Sequence, residues 1–142
     1  MTWCRLDFDL ETGEALIEEI QSDLLRELRS SVNRAYEAHD RKEACFSWYG
    51  YQFKTAPLID YWVKDFSAHE KIWHEAMLTA ALRFLFDELG MKTVYYHTAT
   101  SGKFLKRIGG TAPPASLYTT LPRQFCFENT REAPVILQSD KL

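Results

Sequence analysis

The segment from Ala68 to Gly90 constrains the fold more than any other part of the chain. Its apolar side chains recur at intervals of three and four residues, which places them along one side of a helix. Gly90 follows at the position where helices commonly end in the left-handed conformation. The wide apolar arc predicts a long and largely buried helix. Its members are Ile72, Trp73, Ala76, Met77, Ala80, Phe84 and Leu85.

Alternating sequences on both sides of this helix predict strands. Residues 3–10 and 15–21 each alternate apolar and polar side chains, and "ETGE" between them supplies Gly13 for a hairpin turn. The short run "KTVYYHT" follows the long helix directly and is rich in strand-forming residues. We expect residues 15–21 and 93–97 to be parallel neighbours, which makes the chain an α/β protein (mixed α+β) with a central mixed sheet and a long crossover helix.

The remaining segments complete a prediction of one domain over residues 1–142. A first helix begins near Asp23, with Ser22 or Asp23 as its N-cap. An aromatic-rich insertion at about 38–68 is expected to be irregular, with one short helix near residues 59–64. A short helix follows residue 98. Two final strands are predicted within "SLYTTLPRQFCFEN" and "APVILQ", the first an edge or bulged strand because of Pro122.

Composition and charge exclude several classes of protein. The net charge of −3 and the pI of about 5.8 are not those of a dedicated nucleic-acid binder. No apolar run is long enough to span a membrane, and the N-terminus lacks the pattern of a signal peptide. The three cysteines have no CxxC spacing and are expected to be buried thiols in a reducing compartment. These features predict a cytoplasmic location.

Polar residues stand at the ends of two strands that we expect to be neighbours. Ligands of open sheets bind in the crevice beyond the carboxyl ends of the strands. Alternate residues of a strand share a face, so the first polar set extends along one face. We therefore expect one crevice to contain both sets, with Gln21 and His97 opening onto it. The first set is Glu19, Gln21 and Asp23, and the second is His97, Thr98, Thr100 and Ser101.

Several of these residues have a structural interpretation beside the functional one. His97 is either a general base or a hydrogen-bonded structural histidine. The turn "TATSGK", residues 98–103, has hydroxyls, a glycine and Lys103 ahead of a helix, which suits an anion, although a simple N-capped helix is favoured. Asp23 is also a good helix N-cap. Glu18 is expected on the face opposite Glu19, as a structural partner for a basic group.

One resemblance is carried by "LIEEIQSDLL" and by "EKIWHEAMLTAALRFLFDELGMKTVYYHTA". These two blocks look like a region of the large polyvalent proteins of phages and conjugative elements. In those proteins a strand ending in E-I-Q-S-D is followed by an Ala/Leu-rich helix, a glycine and a short strand. The resemblance covers about a third of the chain and implies a phage or mobile-element origin.

A second resemblance is carried by the order of the elements. "ALIEEIQ", the long helix, "KTVYYHT", "SGKFLKRIGG" and "SLYTTLPRQFCF" follow one another as in the C-terminal half of the GNAT N-acyltransferase fold. There a strand leads into a long helix and then into a strand splayed from the first. The resemblance implies a GNAT-like domain, a transferase activity that acylates an amine, and acyl-CoA as a possible cofactor.

The resemblance also implies roles for particular residues. Glu19 or His97 would accept the proton of the amine, and Tyr118 would protonate the leaving group, because a tyrosine in the closing strands often does so in GNAT-like enzymes. The structural interpretation of Tyr118, a packed tyrosine with a satisfied hydroxyl, is the commoner case. The residues expected to bind the cofactor are Gln21, Thr98, Ser101 and Lys103. The glycine-rich loop that holds the pyrophosphate of acyl-CoA has no counterpart, because neither "QSDLLREL" nor "SAHEKIWHEA" contains a glycine. This absence argues against conventional acetyl-CoA binding.

Two other functions stay open on the sequence. The first is a non-catalytic binding or inhibitor protein that targets a host factor through the aromatic residues between Phe46 and Phe53. The second is a metal-dependent hydrolase with Glu19 and Asp23 as ligands, for which the sequence offers no companion motif. The predicted partner is therefore an amine substrate, small or on a protein, or alternatively a host protein.

Overall fold

The structure is a computed structural model that describes residues 2–106 and 114–138, with the side chains of 103–106 and everything in 107–113 and 139–142 outside the description. The described residues group into two compact units. The first unit comprises Thr2 and residues Ser22–Trp73, and the second unit joins Trp3–Gln21 to the described residues from His74 onward. The chain is mixed α/β, as the sequence predicts.

A three-stranded sheet forms the centre of the second unit. Strand β1 (Trp3–Asp9) pairs antiparallel with β2 (Glu14–Gln21), and β2 pairs in parallel with β5 (Thr93–Tyr96). The predicted hairpin is confirmed, with Gly13 at φ 74° in its turn, a conformation that glycine adopts without strain. The parallel pairing of β2 and β5 is confirmed as well.

The parallel ladder is short, and β2 extends beyond it. Residues 14–17 of β2 pair with 93–96 of β5, so Ile17 and Tyr96 form the last pair. On its other side β2 carries an irregularity, because Leu6 pairs with Ile17 whereas Arg5 pairs with Glu19. Glu18 is therefore the extra residue of a β-bulge. Beyond Ile17, β2 continues to Gln21 without β5 beside it.

Ala15, Leu16 and Ile17 are all buried, so the middle of β2 is covered on both faces, as expected for a central strand. Burial of such side chains contributes about 25 cal/mol per Å² of apolar area. The other buried apolar residues of this unit are Ile20, Leu78, Ala81, Leu85, Met91, Leu117 and Leu121.

The long helix is confirmed, but of the residues predicted to form its buried face only Leu85 is buried. Helix α3 spans Ser67–Arg83 and continues into a π-helical turn, Phe84–Glu88, before Gly90 at φ 66°. The buried residues are Leu78, Ala81 and Leu85. Ile72 and Phe84 are exposed. Apolar residues surround this helix on nearly every side, so their spacing does not single out one face.

Helical turns replace the two strands predicted near the C-terminus. They are a 3₁₀ turn at Ala115–Tyr118, helix α5 at Thr120–Gln124 and a 3₁₀ turn at Val135–Leu137. Pro114 and Pro134 immediately precede the two 3₁₀ turns, and Pro122 lies in the first turn of α5. Proline suits the start of a helix, because its φ is fixed and its missing N–H would have no partner there.

In the other unit, helix α1 (Asp23–Asp40) begins at a definite cap. Ser22 is the N-cap, and its Oγ accepts a hydrogen bond from the Leu25 N–H at 3.3 Å. Asp23 is the first helical residue, and its carboxylate pairs with Arg26 at 3.0 Å. Of the two caps left open by the sequence, the structure selects Ser22.

The predicted irregular insertion is regular in the structure. It contains a hairpin of β3 (Cys45–Trp48) and β4 (Tyr51–Lys54), helix α2 (Thr55–Tyr61) and a π-helical turn, Trp62–Phe66. The sequence shows no clear period here, because the strands are short and rich in aromatic residues and the helix has a proline at its third position.

The aromatic residues of this hairpin point in two directions. Phe46 is buried with Ala35 and Ala38 of α1, and Trp48 and Phe53 pack against this cluster. Tyr49 and Tyr51, at the turn, are 73% and 72% exposed. One part of the hairpin thus packs over a core, and its turn is open to solvent.

Two sequence expectations about environment are also resolved. None of the described helices is both long and apolar enough to cross a bilayer. The cysteines are free thiols, but the expectation that they are buried is wrong for Cys45 and Cys126, which are exposed. Cys45 lies in the two-stranded hairpin sheet and Cys126 follows α5, and neither segment is covered at that position.

Candidate functional site

Glu18 and His97 meet where the parallel strands end. Ile17 and Tyr96 form the last pair of the ladder, so the next residue of each chain segment faces the other. The Oε1 atom of Glu18 lies 3.5 Å from the Nε2 atom of His97. His97 is 4% exposed, while the Glu18 side chain retains some access to solvent. A carboxylate beside a buried imidazole orients the ring and stabilises its protonated form.

The bulge explains why Glu18 reaches this position. Strict alternation places Glu18 opposite Glu19, but the extra residue interrupts the alternation in β2. The second carboxylate oxygen of Glu18 lies 3.9 Å from Nη1 of Arg5, the residue that pairs with Glu19. The predicted basic partner of Glu18 is thereby confirmed as Arg5. The contact with His97 was missed, since nothing in the alternating pattern marks a bulge.

Ser101 contacts the other nitrogen of the same imidazole. Its Oγ lies 3.4 Å from Nδ1 of His97, at the outer limit of a hydrogen bond. Ser101 sits in the first turn of helix α4 (Ala99–Lys106), four residues after His97. His97 therefore has a carboxylate on one side of its ring and a hydroxyl on the other.

Thr98 and Ser101 also cap helix α4 reciprocally. The Ser101 N–H donates to Oγ1 of Thr98 at 3.1 Å, and the Thr98 N–H donates to Oγ of Ser101 at 3.0 Å. This is the geometry of a capping box, with serine in the place of the usual glutamate. The favoured interpretation of "TATSGK" as an N-capped helix is confirmed. An additional role in anion binding stays a prediction.

Tyr118 lies at the same end of the sheet. Its ring is 6.1 Å from the ring of Tyr96, centroid to centroid, and a Cβ added to Gly102 would lie 3.2 Å from its Cε1. Burial, followed by the negative charges of Glu19 and Glu18, raises the pKa of Tyr118 above its ordinary value. The phenol is protonated at neutral pH, as an ordinary tyrosine is.

A groove of about 860 Å³ joins these groups on the surface of the second unit. It runs along β5, the start of α4 and the turns that follow Tyr118. His97, Thr98, Ser101 and Tyr118 all line it, together with Tyr96. Four of the seven residues in the predicted catalytic and cofactor-binding sets therefore share one groove.

The other residues of the predicted catalytic and cofactor-binding sets are not among the described residues that line the groove. Glu19 affects the site through its charge on Tyr118, and the predicted role of Gln21 stays a prediction. Asp23 belongs to the other unit, at the start of α1. The side chain of Lys103 lies outside the described residues.

Within residues 2–106 and 114–138, no group of three or more His, Cys, Asp or Glu side chains is arranged to hold a metal ion. The groove is lined by the imidazole of His97, the hydroxyl of Ser101 and the phenol of Tyr118, and the carboxylate of Glu18 contacts that imidazole. These groups can transfer protons. Comparison with known proteins adds no relative. No protein-family model, curated protein or solved structure matches the chain.

Proposed function

We propose that this protein is a group-transfer enzyme that acylates an amine, with its acid–base centre in the groove at the end of β5. The observation that carries the proposal is the position of His97, between the carboxylate of Glu18 and the hydroxyl of Ser101 and in the wall of the groove. An imidazole oriented by a carboxylate is a common general base at neutral pH.

The proposed chemistry assigns a proton transfer to each of two side chains. His97 accepts the proton that the attacking amine loses, and Glu18 stabilises the resulting imidazolium by its charge at 3.5 Å. Tyr118 supplies a proton to the leaving group from a phenol that lies in the same groove as His97. Glu18 is thus the carboxylate of the proposed site, where the sequence analysis predicts Glu19.

The arrangement of β2 and β5 is in keeping with the GNAT-like proposal. The two strands are parallel neighbours that pair over only four residues, and β2 then continues without β5 beside it. The donor is left open by the missing glycine loop, so acyl-CoA is one of several activated acyl donors to test. An origin in a phage or mobile element remains a proposal that rests on the "EIQSD" segment.

The test is an acyl-transfer assay on the full-length protein. Acetyl-CoA, longer acyl-CoA esters and simple thioesters are each incubated with a panel of small amines and lysine-containing peptides. Acylated products are detected by mass spectrometry. We expect one donor–amine pair to yield an amide, and His97→Gln to slow its formation by roughly 100-fold or more, the range typical of general base catalysis.

A matched control is His39→Gln, because His39 is an exposed histidine of the other unit. It should leave the rate unchanged. If no amide forms with any donor, or if His97→Gln and His39→Gln proceed at the same rate, the proposed function is wrong. Circular dichroism on both variants separates a loss of fold from a loss of chemistry.

The second candidate function is a non-catalytic binding protein. The observation that favours it is the exposure of Tyr49 and Tyr51, 73% and 72%, at the turn of the β3–β4 hairpin. Tyrosine is enriched among residues that dominate binding energy at interfaces. The test compares affinity for a purified host protein between the wild type and a Tyr49→Ser/Tyr51→Ser variant, with Tyr36→Ser on α1 as the control. Equal affinities of all three proteins would reject this surface.

A further inference from the structure

We propose that Ser101 is a nucleophile, and that the transferred group is carried on its Oγ as an ester before it reaches the amine. This inference rests on the proposed function, and it adds a covalent intermediate that the proposal does not require. It is drawn from three side chains in contact in the second unit: the carboxylate of Glu18, the imidazole of His97 and the hydroxyl of Ser101.

The contacts of His97 favour the tautomer that nucleophilic catalysis needs. The carboxylate of Glu18 faces Nε2 at 3.5 Å and, as an acceptor, favours a proton on that nitrogen in the neutral ring. Nδ1 is then left as the acceptor, and it is Nδ1 that faces Oγ of Ser101 at 3.4 Å. The ring is thus prepared to take the hydroxyl proton, in the same division of roles as a Ser-His-Asp triad.

The backbone fixes each member of this arrangement. The last pair of the parallel ladder places Glu18 beside His97. The capping box fixes Oγ of Ser101, which accepts the Thr98 N–H at 3.0 Å. That bond uses a lone pair of the hydroxyl, which also lies 3.0 Å from Oγ1 of Thr98. The hydroxyl proton has two further acceptors, the Thr98 carbonyl oxygen at 3.3 Å and Nδ1 of His97 at 3.4 Å, and rotation about the Cβ–Oγ bond directs it to Nδ1 for the transfer. Distances of 3.4 and 3.5 Å are looser than a formed hydrogen bond, as is common where catalytic contacts tighten only with substrate bound.

Helix α4 adds a favourable field at the nucleophile. Ser101 lies in the first turn of α4, where the partial positive charge of the helix N-terminus stabilises nearby negative charge. The negative charge that develops on Oγ during the attack lies within that turn, where this field stabilises it. Ser101 and His97 both line the groove, so the hydroxyl is reached from the same space as the base.

The covalent route has two balanced halves. In the first, Oγ bonds to the carbonyl carbon of the donor, and the Ser101 proton passes to Nδ1 of His97. The bond from that carbon to the leaving group breaks. The leaving group departs with a proton from Tyr118, which the imidazolium replaces through solvent.

In the second half the amine nitrogen bonds to the ester carbon and loses a proton to His97. The bond between that carbon and Oγ breaks, and Oγ recovers the proton from His97. The products are an amide and the original serine, so the cycle needs no oxidant, metal or further reactant.

The competing interpretation is that Ser101 only caps α4, and two probes separate the alternatives. The full-length protein is treated with an alkyl fluorophosphonate, which bonds to activated serines with loss of fluoride, and the adduct is mapped by mass spectrometry. We expect one adduct, on Ser101, and a rate of labelling reduced by roughly 100-fold in His97→Gln. A residue that acts only as a cap would not be labelled.

Ser101→Asp is the variant that keeps the cap. Its carboxylate can still accept the Thr98 N–H, as an acidic residue does in the usual capping box, but it offers no hydroxyl. We expect it to remain folded and unlabelled, while Ser47→Asp, at an exposed serine of β3, is labelled on Ser101 at the wild-type rate. Absence of an adduct on folded wild-type protein, or equal labelling of His97→Gln and wild type, would overturn the inference.

The acyl-transfer assay distinguishes this inference from the proposed function. If Ser101→Asp still acylates the amine at the wild-type rate, the amine attacks the donor directly, and the inference fails while the proposed function stands. If Ser101 is labelled but no amine is acylated, Ser101 is still an activated nucleophile, and the proposed function is wrong.

Discussion

Glu18 and His97 are in contact because each is the first residue beyond the last pair of a parallel ladder, Ile17 with Tyr96. The contact depends on backbone register rather than on a local motif. It distinguishes the two ring nitrogens, since the carboxylate faces Nε2 and the hydroxyl of Ser101 faces Nδ1. A proton on Nε2 is therefore the expected neutral tautomer.

That tautomer is directly measurable. For the neutral ring, long-range ¹H–¹⁵N spectra of ¹⁵N-labelled protein should show Nε2 protonated and Nδ1 without a proton. Glu18→Gln removes the charge that favours this state, so we expect a mixture of both tautomers. A wild-type ring that carries its proton on Nδ1 would contradict the assigned roles of both Glu18 and Ser101.

The raised pKa of Tyr118 predicts a loss of stability at alkaline pH. A phenol whose pKa is higher in the folded than in the unfolded chain is protonated more readily when folded. Its contribution is fully present below its ordinary pKa of 10.0, and it is lost as pH rises from there through the folded value. The free energy of unfolding should therefore fall over that interval.

Tyr118→Phe isolates this contribution, because phenylalanine has no proton to lose. Denaturant unfolding between pH 8 and 11, roughly two units below and one above the ordinary value for tyrosine, should show a shallower decline in the variant than in the wild type. Tyr51→Phe, at an exposed tyrosine of the other unit, is the control. Parallel curves for wild type and Tyr118→Phe would show that Tyr118 is not desolvated in the fold.

Gly102 and Tyr118 are predicted to be coupled through space. A Cβ at position 102 would lie 3.2 Å from the tyrosine ring, so the ring has to shift by a few tenths of an ångström. Alanine is otherwise favoured over glycine inside a helix by about 1 kcal/mol. We expect Gly102→Ala to stabilise a Tyr118→Ala background by about that amount, and the wild type by clearly less. A double-mutant cycle with no coupling would mean that the two residues do not touch.

The sequence predicts those features that depend on a local period or a local cap. The β1–β2 hairpin, the strand after the long helix and the start of α1 all follow from adjacent residues, although the sequence leaves the N-cap open between Ser22 and Asp23. The meeting of polar groups at the ends of β2 and β5 is predicted for His97, because parallel strands end at one edge. The participation of Glu18 is not, since a bulge inverts the alternation from which faces are read.

Two other predictions of secondary structure are wrong for the same reason. In both, the position of the segment in the fold overrides its local sequence pattern. "SLYTTLPRQF" has strand-forming residues, yet Pro122 lies in the first turn of helix α5 there. The insertion contains a two-residue turn at Tyr49 and Gly50, both at positive φ. Hairpin turns of this kind usually have the sequence Asn-Gly or Asp-Gly. Because the first turn residue here is a tyrosine, the sequence does not predict the hairpin.

The face of α3 provides the last prediction, because the sequence and the structure disagree about it. Leu78 is 0% exposed, whereas Ile72, one of the residues that the periodicity predicts to be buried, is 56% exposed. Leu78→Ala should lower the free energy of unfolding by about 2–5 kcal/mol, the cost of a cavity in a packed core. Ile72→Ala on the same helix removes a similar side chain and, as a surface change, should alter stability by no more than about 0.5 kcal/mol. Urea denaturation of the two variants measures both values, and equal losses would favour the arc predicted from the sequence over the buried face seen in the structure.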